Sequence, residues 1–115
     1  MAATPFVDLA TIDLTRVVAD REEIYRLLPH RHEFAQLDAI VWVDPATFTA
    51  VARRDVRTDE FWVRGHIPGR PLLPGVLMIE TAAQLASYLT GSFGITKGFV
   101  GFARVDNVSF RGTVT

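Results

Sequence analysis

Apolar positions crowd one stretch of the chain more densely than a single helix face can hold. From residue 76 to 89, Val76, Leu77, Met78, Ile79, Ala82, Ala83, Leu85, Ala86 and Leu89 cover most of a helical circumference. Glu80, Gln84 and Ser87 fall among them at i, i+4 and i+7, as a thin polar line. The pattern predicts a helix from Pro74 or Gly75 to about Thr90, ended by Gly91 and Gly94 and surrounded by protein. Upstream, the periodicity changes. Ile40–Val43 reads as a strand, Asp44-Pro45-Ala46 as a turn and Thr47–Arg53 as the returning strand. Asp20-Arg21-Glu22-Glu23 reads as a helix start with a capping box, and Pro29 stops that helix after about two turns. Phe61-Trp62-Val63 is a short apolar stretch, and strands are expected over 99–105 and 108–110. Residues 1–19 carry Phe6, Leu9, Ile12 and Leu14 as contact points of an extended arm.

The long apolar segment raises the question of a membrane span, since residues 71–89 approach the ~20 needed. Pro71, Pro74, Gln84 and a mid-segment Glu80 argue against it, because a carboxylate at a bilayer centre costs about 2.5–3.5 kcal/mol. A helix buried inside a water-exposed protein is the better reading. Twelve basic and thirteen acidic residues leave a net charge of −1, which gives no electrostatic footprint for nucleic acid. With no cysteine there is no disulfide, thiolate metal site or Cys nucleophile. No secretory signal is evident in residues 1–20, so a cytoplasmic location is expected.

Two residues stand out as chemistry. Glu80 is the one charge between Arg70 and Lys97, and burying a carboxylate among aliphatic side chains is costly unless it has a task or a partner. His66 sits in Gly65-His66-Ile67-Pro68-Gly69-Arg70-Pro71-Leu72-Leu73-Pro74-Gly75, too rich in Pro and Gly for helix or central strand. An imidazole suits proton transfer near neutral pH, and a second acid–base group could share an elimination with it. The amides of Gly75 and Val76, at the start of the helix, could hold a developing oxyanion. Other polar clusters read as structural. His30 and His32 lack a ligand set at recognised metal spacing, and Arg53, Arg54 and Arg57 read as a solvated edge.

The run from Gly65 to Glu80, continuing through Ala83-Gln84, closely resembles the 3-hydroxyacyl-[acyl-carrier-protein] dehydratases of bacterial fatty acid synthesis, a hot-dog-fold family. The likeness spans roughly residues 20–113. It includes the fourteen-residue separation of His66 and Glu80, the Leu28-Pro29-His30-Arg31 segment, Leu37-Asp38, and Phe102 through Phe110. Glu at position 80 resembles the branch that dehydrates without isomerising the double bond.

The resemblance implies an α+β hot-dog domain over 20–115, a long central helix wrapped by a curved antiparallel sheet. It implies dehydration of (3R)-hydroxyacyl chains carried on the phosphopantetheine arm of an acyl carrier protein. His66 and Glu80 would be catalytic, Gly75 and Val76 would face the thioester oxygen, and Gln84 would orient the Glu80 carboxylate. Each site would take His66 and Glu80 from different protomers of a homodimer, with a trimer of dimers as a further assembly. No metal or redox cofactor is implied. The chain departs from the pattern at Glu33-Phe34-Ala35-Gln36, where the family is more apolar, and the family's C-terminal strands are expected to be missing. An acyl thioesterase and a non-catalytic accessory or acyl-binding subunit are the alternatives.

Overall fold

The computed structural model describes residues 6–95, 101 and 103–115. Its two helices are α1 (Arg21–Leu27) and α2 (Gly75–Ser92), and its strands are β1 (Ala19–Asp20), β2 (Ala39–Asp44) and β3 (Thr49–Arg53). The strands form one antiparallel sheet in the order β1-β2-β3. Both α1 and β3 pack against α2, so the long helix lies across a small sheet with the short helix beside it.

Local chemistry sets most of these boundaries. The Asp20 carboxylate accepts from the Glu23 amide at 2.9 Å, satisfying one orphan donor at the start of α1. Pro29 follows directly on the α1 cap at Leu28, whose amide donates to the Ile24 carbonyl at 3.2 Å. The Asp44 carboxylate shapes the β2–β3 turn by accepting from the Ala46 amide and the Thr47 hydroxyl. One residue of β2, Val41, is extra relative to β3, because Ile40 pairs with Ala52 and Trp42 with Val51. This bulge lets Ala39, Ile40 and Val41 all be buried in succession, where a regular strand would alternate. Helix α2 runs two residues beyond the expected Thr90, passing through Gly91. It ends in a Schellman arrangement: Gly94, at φ 67°, donates to Gly91 and Ile95 donates to Thr90 at 2.9 Å.

Ala19, Ile24, Tyr25, Leu28, Leu37 and Ile40 form the core, with Leu85 and Tyr88 of α2 packed on it. Full burial of a side chain such as Ile24 or Ile40 stabilises by about 1.5–3 kcal/mol. A polar cluster lies among them. The Tyr25 hydroxyl donates to Gln84 Oε1 at 2.6 Å and accepts from the Leu37 amide at 2.7 Å. Gln84 Oε1 also accepts from the Gln36 amide, and its Nε2 donates to the Phe34 carbonyl at 2.8 Å. Burial pushes the Tyr25 phenol up, against the weaker opposing pull of the Leu37 and Gln36 amides and of Arg21, which keeps it protonated and donating.

The described residues cover helix α2 only in part, and two expectations need correction. Along α2 only Gln84 and Leu89 are buried, while Val76, Ala82 and Ala86 are exposed. Strands of two, six and five residues are too short to encircle a helix of eighteen, which is about 27 Å long. Residues 103–105 and 108–110 are irregular and exposed, because the sheet brings no strand edge beside them to complete a ladder. The rest of the expected 99–105 strand, apart from Gly101, lies outside the described residues. In the N-terminal segment, Leu9 and Leu14 are exposed and Phe6 fully so, whereas Val18 and Ala19 pair with β2.

Replacing Tyr25 by Phe removes one hydroxyl and strands the Leu37 amide, which is enclosed in the core. The expected loss is about 1–3 kcal/mol in urea unfolding. A change below about 0.5 kcal/mol would contradict the role given to this cluster.

Candidate active site

Helix α2 starts without a side-chain cap, since Pro74 occupies the N-cap and supplies no acceptor. Pro74 also brings no N–H of its own, and its fixed φ favours the extended entry seen here (φ −59°, ψ 132°). The Leu77 amide turns back to the Pro74 carbonyl at 3.0 Å. Among the described residues, the amides of Gly75 and Val76 have no hydrogen-bond acceptor. They are two orphan donors at the positive end of an eighteen-residue helix. Position 75 is also sterically confined: a Cβ there would meet the Phe110 ring at 3.0 Å. A cavity of about 150 Å³ lies at this helix end, lined by Leu72, Leu73, Gly75, Met78, Phe110, Gly112 and Thr113. A larger one of about 270 Å³ lies at the 58–64 loop and is lined by neither His66 nor Glu80.

The His66 loop is built from tight turns. The His66 amide donates to the Trp62 carbonyl at 2.9 Å, and Trp62 is buried beneath it. Ile67-Pro68-Gly69-Arg70 closes with Arg70 donating to Ile67 at 2.9 Å. Pro68 precedes Gly69 at φ 84°, the residue order of a type II turn, in which the third position needs glycine. The result is an exposed imidazole on a stiff loop. Among the described residues His66 has no carboxylate within 4.0 Å, so one chain alone does not join it to Glu80.

Glu80 is half-buried, its side chain 27% exposed. Its Oε1 lies 3.8 Å from Nε2 of His30, a contact that sequence spacing gave no reason to expect. Gln84, which the resemblance implies as the residue orienting Glu80, makes its hydrogen bonds elsewhere. Its recorded hydrogen bonds go to Tyr25, Gln36 and Phe34, and none to Glu80.

Arg54 is a further correction. Its side chain is 10% exposed, and its guanidinium grips Glu60 at 2.7 and 3.3 Å while also donating to Gln36 Oε1 at 2.6 and 3.0 Å. Glu60 in turn accepts from the Arg57 amide at 2.8 Å. Paired guanidinium and carboxylate are held together by two parallel bonds, which fix geometry as well as adding energy. Gln36 thus links this pair through its side chain and α2 through its backbone amide. A continuous hydrogen-bonded path runs from Gln84 through Gln36, Arg54 and Glu60 to the loop leading into Trp62 and His66. Arg53 and Arg57 do remain half-exposed, paired with Asp55 and with Asp38 and Asp59.

No three His, Asp or Glu side chains among the described residues are grouped as a metal site would require. No helix among them is long and apolar enough to cross a membrane.

Burial raises the Glu60 carboxyl, but hydrogen bonds from Arg54 and from the Arg57 amide outweigh it and hold it below the usual glutamic acid range. A depressed folded-state value means that the pair's stabilisation is complete above the ordinary value near ~4.3 and is lost as pH falls through the lower folded value. The wild-type chain is therefore expected to lose urea stability on acidification below about pH 4 more steeply than Glu60→Gln. Parallel pH dependence of the two midpoints would contradict this.

The geometry can be set beside known proteins. A family model described as FabA-like domain matches residues 28–115. The chain is 40% identical over 94 residues to the 3-hydroxyacyl-[acyl-carrier-protein] dehydratase FabZ of Sinorhizobium fredii (strain NBRC 101917 / NGR234), covering 81% of this chain and 60% of that protein. It therefore spans about three fifths of the length of the curated relative it matches. On the extent of the family match and that identity, the chain belongs to the FabA-like domain family.

Proposed function

We propose that this protein is a hydro-lyase converting (3R)-hydroxyacyl-[acyl-carrier-protein] to trans-2-enoyl-[acyl-carrier-protein] in fatty acid synthesis. The observation that carries the reading is the uncapped start of α2, with two amides lacking an acceptor, a cavity beside Gly75 and a half-buried carboxylate farther along the same helix. The dehydratase name of the relative supports the choice of reaction.

His66 removes the proton α to the thioester. The electron pair moves toward the carbonyl, and the developing oxyanion is held by the Gly75 and Val76 amides, each such donor being worth about 2.7–4 kcal/mol in the barrier. Collapse forms the double bond between the α and β carbons and breaks the β carbon–oxygen bond. Glu80 supplies a proton to the departing hydroxyl, which leaves as water. Atoms and electrons balance without a redox partner, so neither metal nor redox cofactor enters the scheme.

His66 and Glu80 come from different protomers in this reading. Two features among the described residues support a second copy: His66 stands exposed with no carboxylate within 4.0 Å, and Val76, Ala82 and Ala86 of α2 are exposed. The substrate arrives on the phosphopantetheine of an acyl carrier protein, and pairing of dimers into a trimer of dimers is the further assembly. The catalytic domain begins at Asp20, behind an N-terminal arm over 1–19, and the location is cytoplasmic.

His66→Ala and Glu80→Gln are each expected to lower hydration of a crotonyl thioester by about 10²–10⁴-fold while leaving the dimer intact by sedimentation. Full activity in either variant would contradict the assignment. Release of free thiol by the wild-type chain, with no change in enoyl absorbance, would point instead to thioester hydrolysis.

A further inference from the structure

His30 lies fifty residues before Glu80 in sequence, yet its Nε2 lies 3.8 Å from the Glu80 carboxylate in the same chain. The two side chains are similarly enclosed, 25% and 27% exposed. The ring packs against Tyr25, their centroids 6.3 Å apart and their planes at 75°, and Tyr25 is itself fixed by Gln84 and Leu37. The backbone is pinned as well, because the Arg31 guanidinium donates to the carbonyls of Leu28 and His30 at 2.8 Å each. On the ring's other side, Nδ1 is shut away from solvent with no partner.

The Glu80 carboxylate favours one tautomer. Nδ1 is unpartnered whichever nitrogen carries the hydrogen, but a hydrogen on Nε2 has a carboxylate oxygen 3.8 Å away, whereas the other tautomer would set an imidazole lone pair against that oxygen. We propose that His30 is a positioning residue for Glu80, its Nε2–H holding the carboxyl in the rotamer that reaches the substrate's β-hydroxyl. The inference rests on the dehydratase reading for its chemistry, but its geometry stands apart from it. At 3.8 Å the contact is longer than a hydrogen bond and closes to one when substrate fills the site, as catalytic contacts in unliganded enzymes commonly do. It also gives Glu80 a neighbour that Gln84 does not supply, since the hydrogen bonds of Gln84 go to Tyr25, Gln36 and Phe34.

The test combines tautomer and kinetics on the full chain. Long-range proton–nitrogen NMR of the imidazoles is expected to find His30 as the Nε2–H form, with its Nε2 resonance displaced by Glu80→Gln. His30→Ala is expected to reduce kcat for crotonyl thioester hydration about tenfold with KM nearly unchanged. His30→Gln, which places an amide N–H near the same point, should recover most of that loss. An Nδ1–H tautomer, an Nε2 resonance indifferent to Glu80→Gln, or equal kcat for wild type and His30→Ala would each overturn the proposal. The NMR result stands whether or not the chain is active. Full activity of Glu80→Gln would instead sink the dehydratase reading, so the two failures are distinct. Matching thermal melts for His30→Ala and His30→Gln separate positioning from loss of fold.

Discussion

The structure depends on how one buried amide is satisfied. Gln84 is 1% exposed and sits on a helix whose Leu85, Tyr88 and Leu89 also turn inward. An unpaired amide there would cost several times what a typical hydrogen bond contributes. Its oxygen and nitrogen are instead met by Tyr25 from α1 and by the backbone of Gln36 and Phe34. The partners come from two separate parts of the chain, so satisfying Gln84 fixes α1, α2 and the 34–37 segment at once. Through Gln36 the same constraint extends to Arg54 and Glu60, at the base of the loop that carries His66. Hydrophobic burial supplies most of the stability, but it is non-directional. The polar path supplies direction.

In the proposed reaction, the working groups are ones that the fold leaves unsatisfied. Proline at the N-cap of α2 gives up the capping bond that Ser or Asp would form, at a cost of roughly 1 kcal/mol. What is gained is a pair of amides without acceptors at a helix end where Gly75 lines a cavity. Glu80 follows the same logic: a carboxylate on an apolar helix, with His30 alone among the described basic groups near enough to interact. Such local costs are expected at sites of chemistry and are offset by the rest of the domain.

Elements governed by local signals were legible in the sequence. Asp20 starts α1, Asp44 turns the β2–β3 hairpin and Gly94 closes α2, because cap and turn residues act within a few positions of themselves. The Pro-Gly-rich loop before α2 was equally plain. Contacts between distant segments were not. Tyr25 and Gln84 are 59 residues apart, and the resemblance implied that Gln84 would serve Glu80. Spacing places two residues on one face but does not fix where a rotamer points. Arg54 was hidden for a related reason: a run of arginines reads as solvated until the buried acid that pairs with it is known. The strands expected after α2 failed where described, since β-propensity states a preference that only a neighbouring edge can realise.

The central claim is that His66 and Glu80 act together across two copies of the chain. Mixing His66→Ala and Glu80→Gln chains after unfolding and refolding them together tests it most directly. Half of the dimers formed at random are mixed, and each mixed dimer has one site with both residues intact, so activity should return to about a quarter of wild type. If the mixture stays as inactive as the separate variants while mixed dimers are shown to form, the two residues do not share a site.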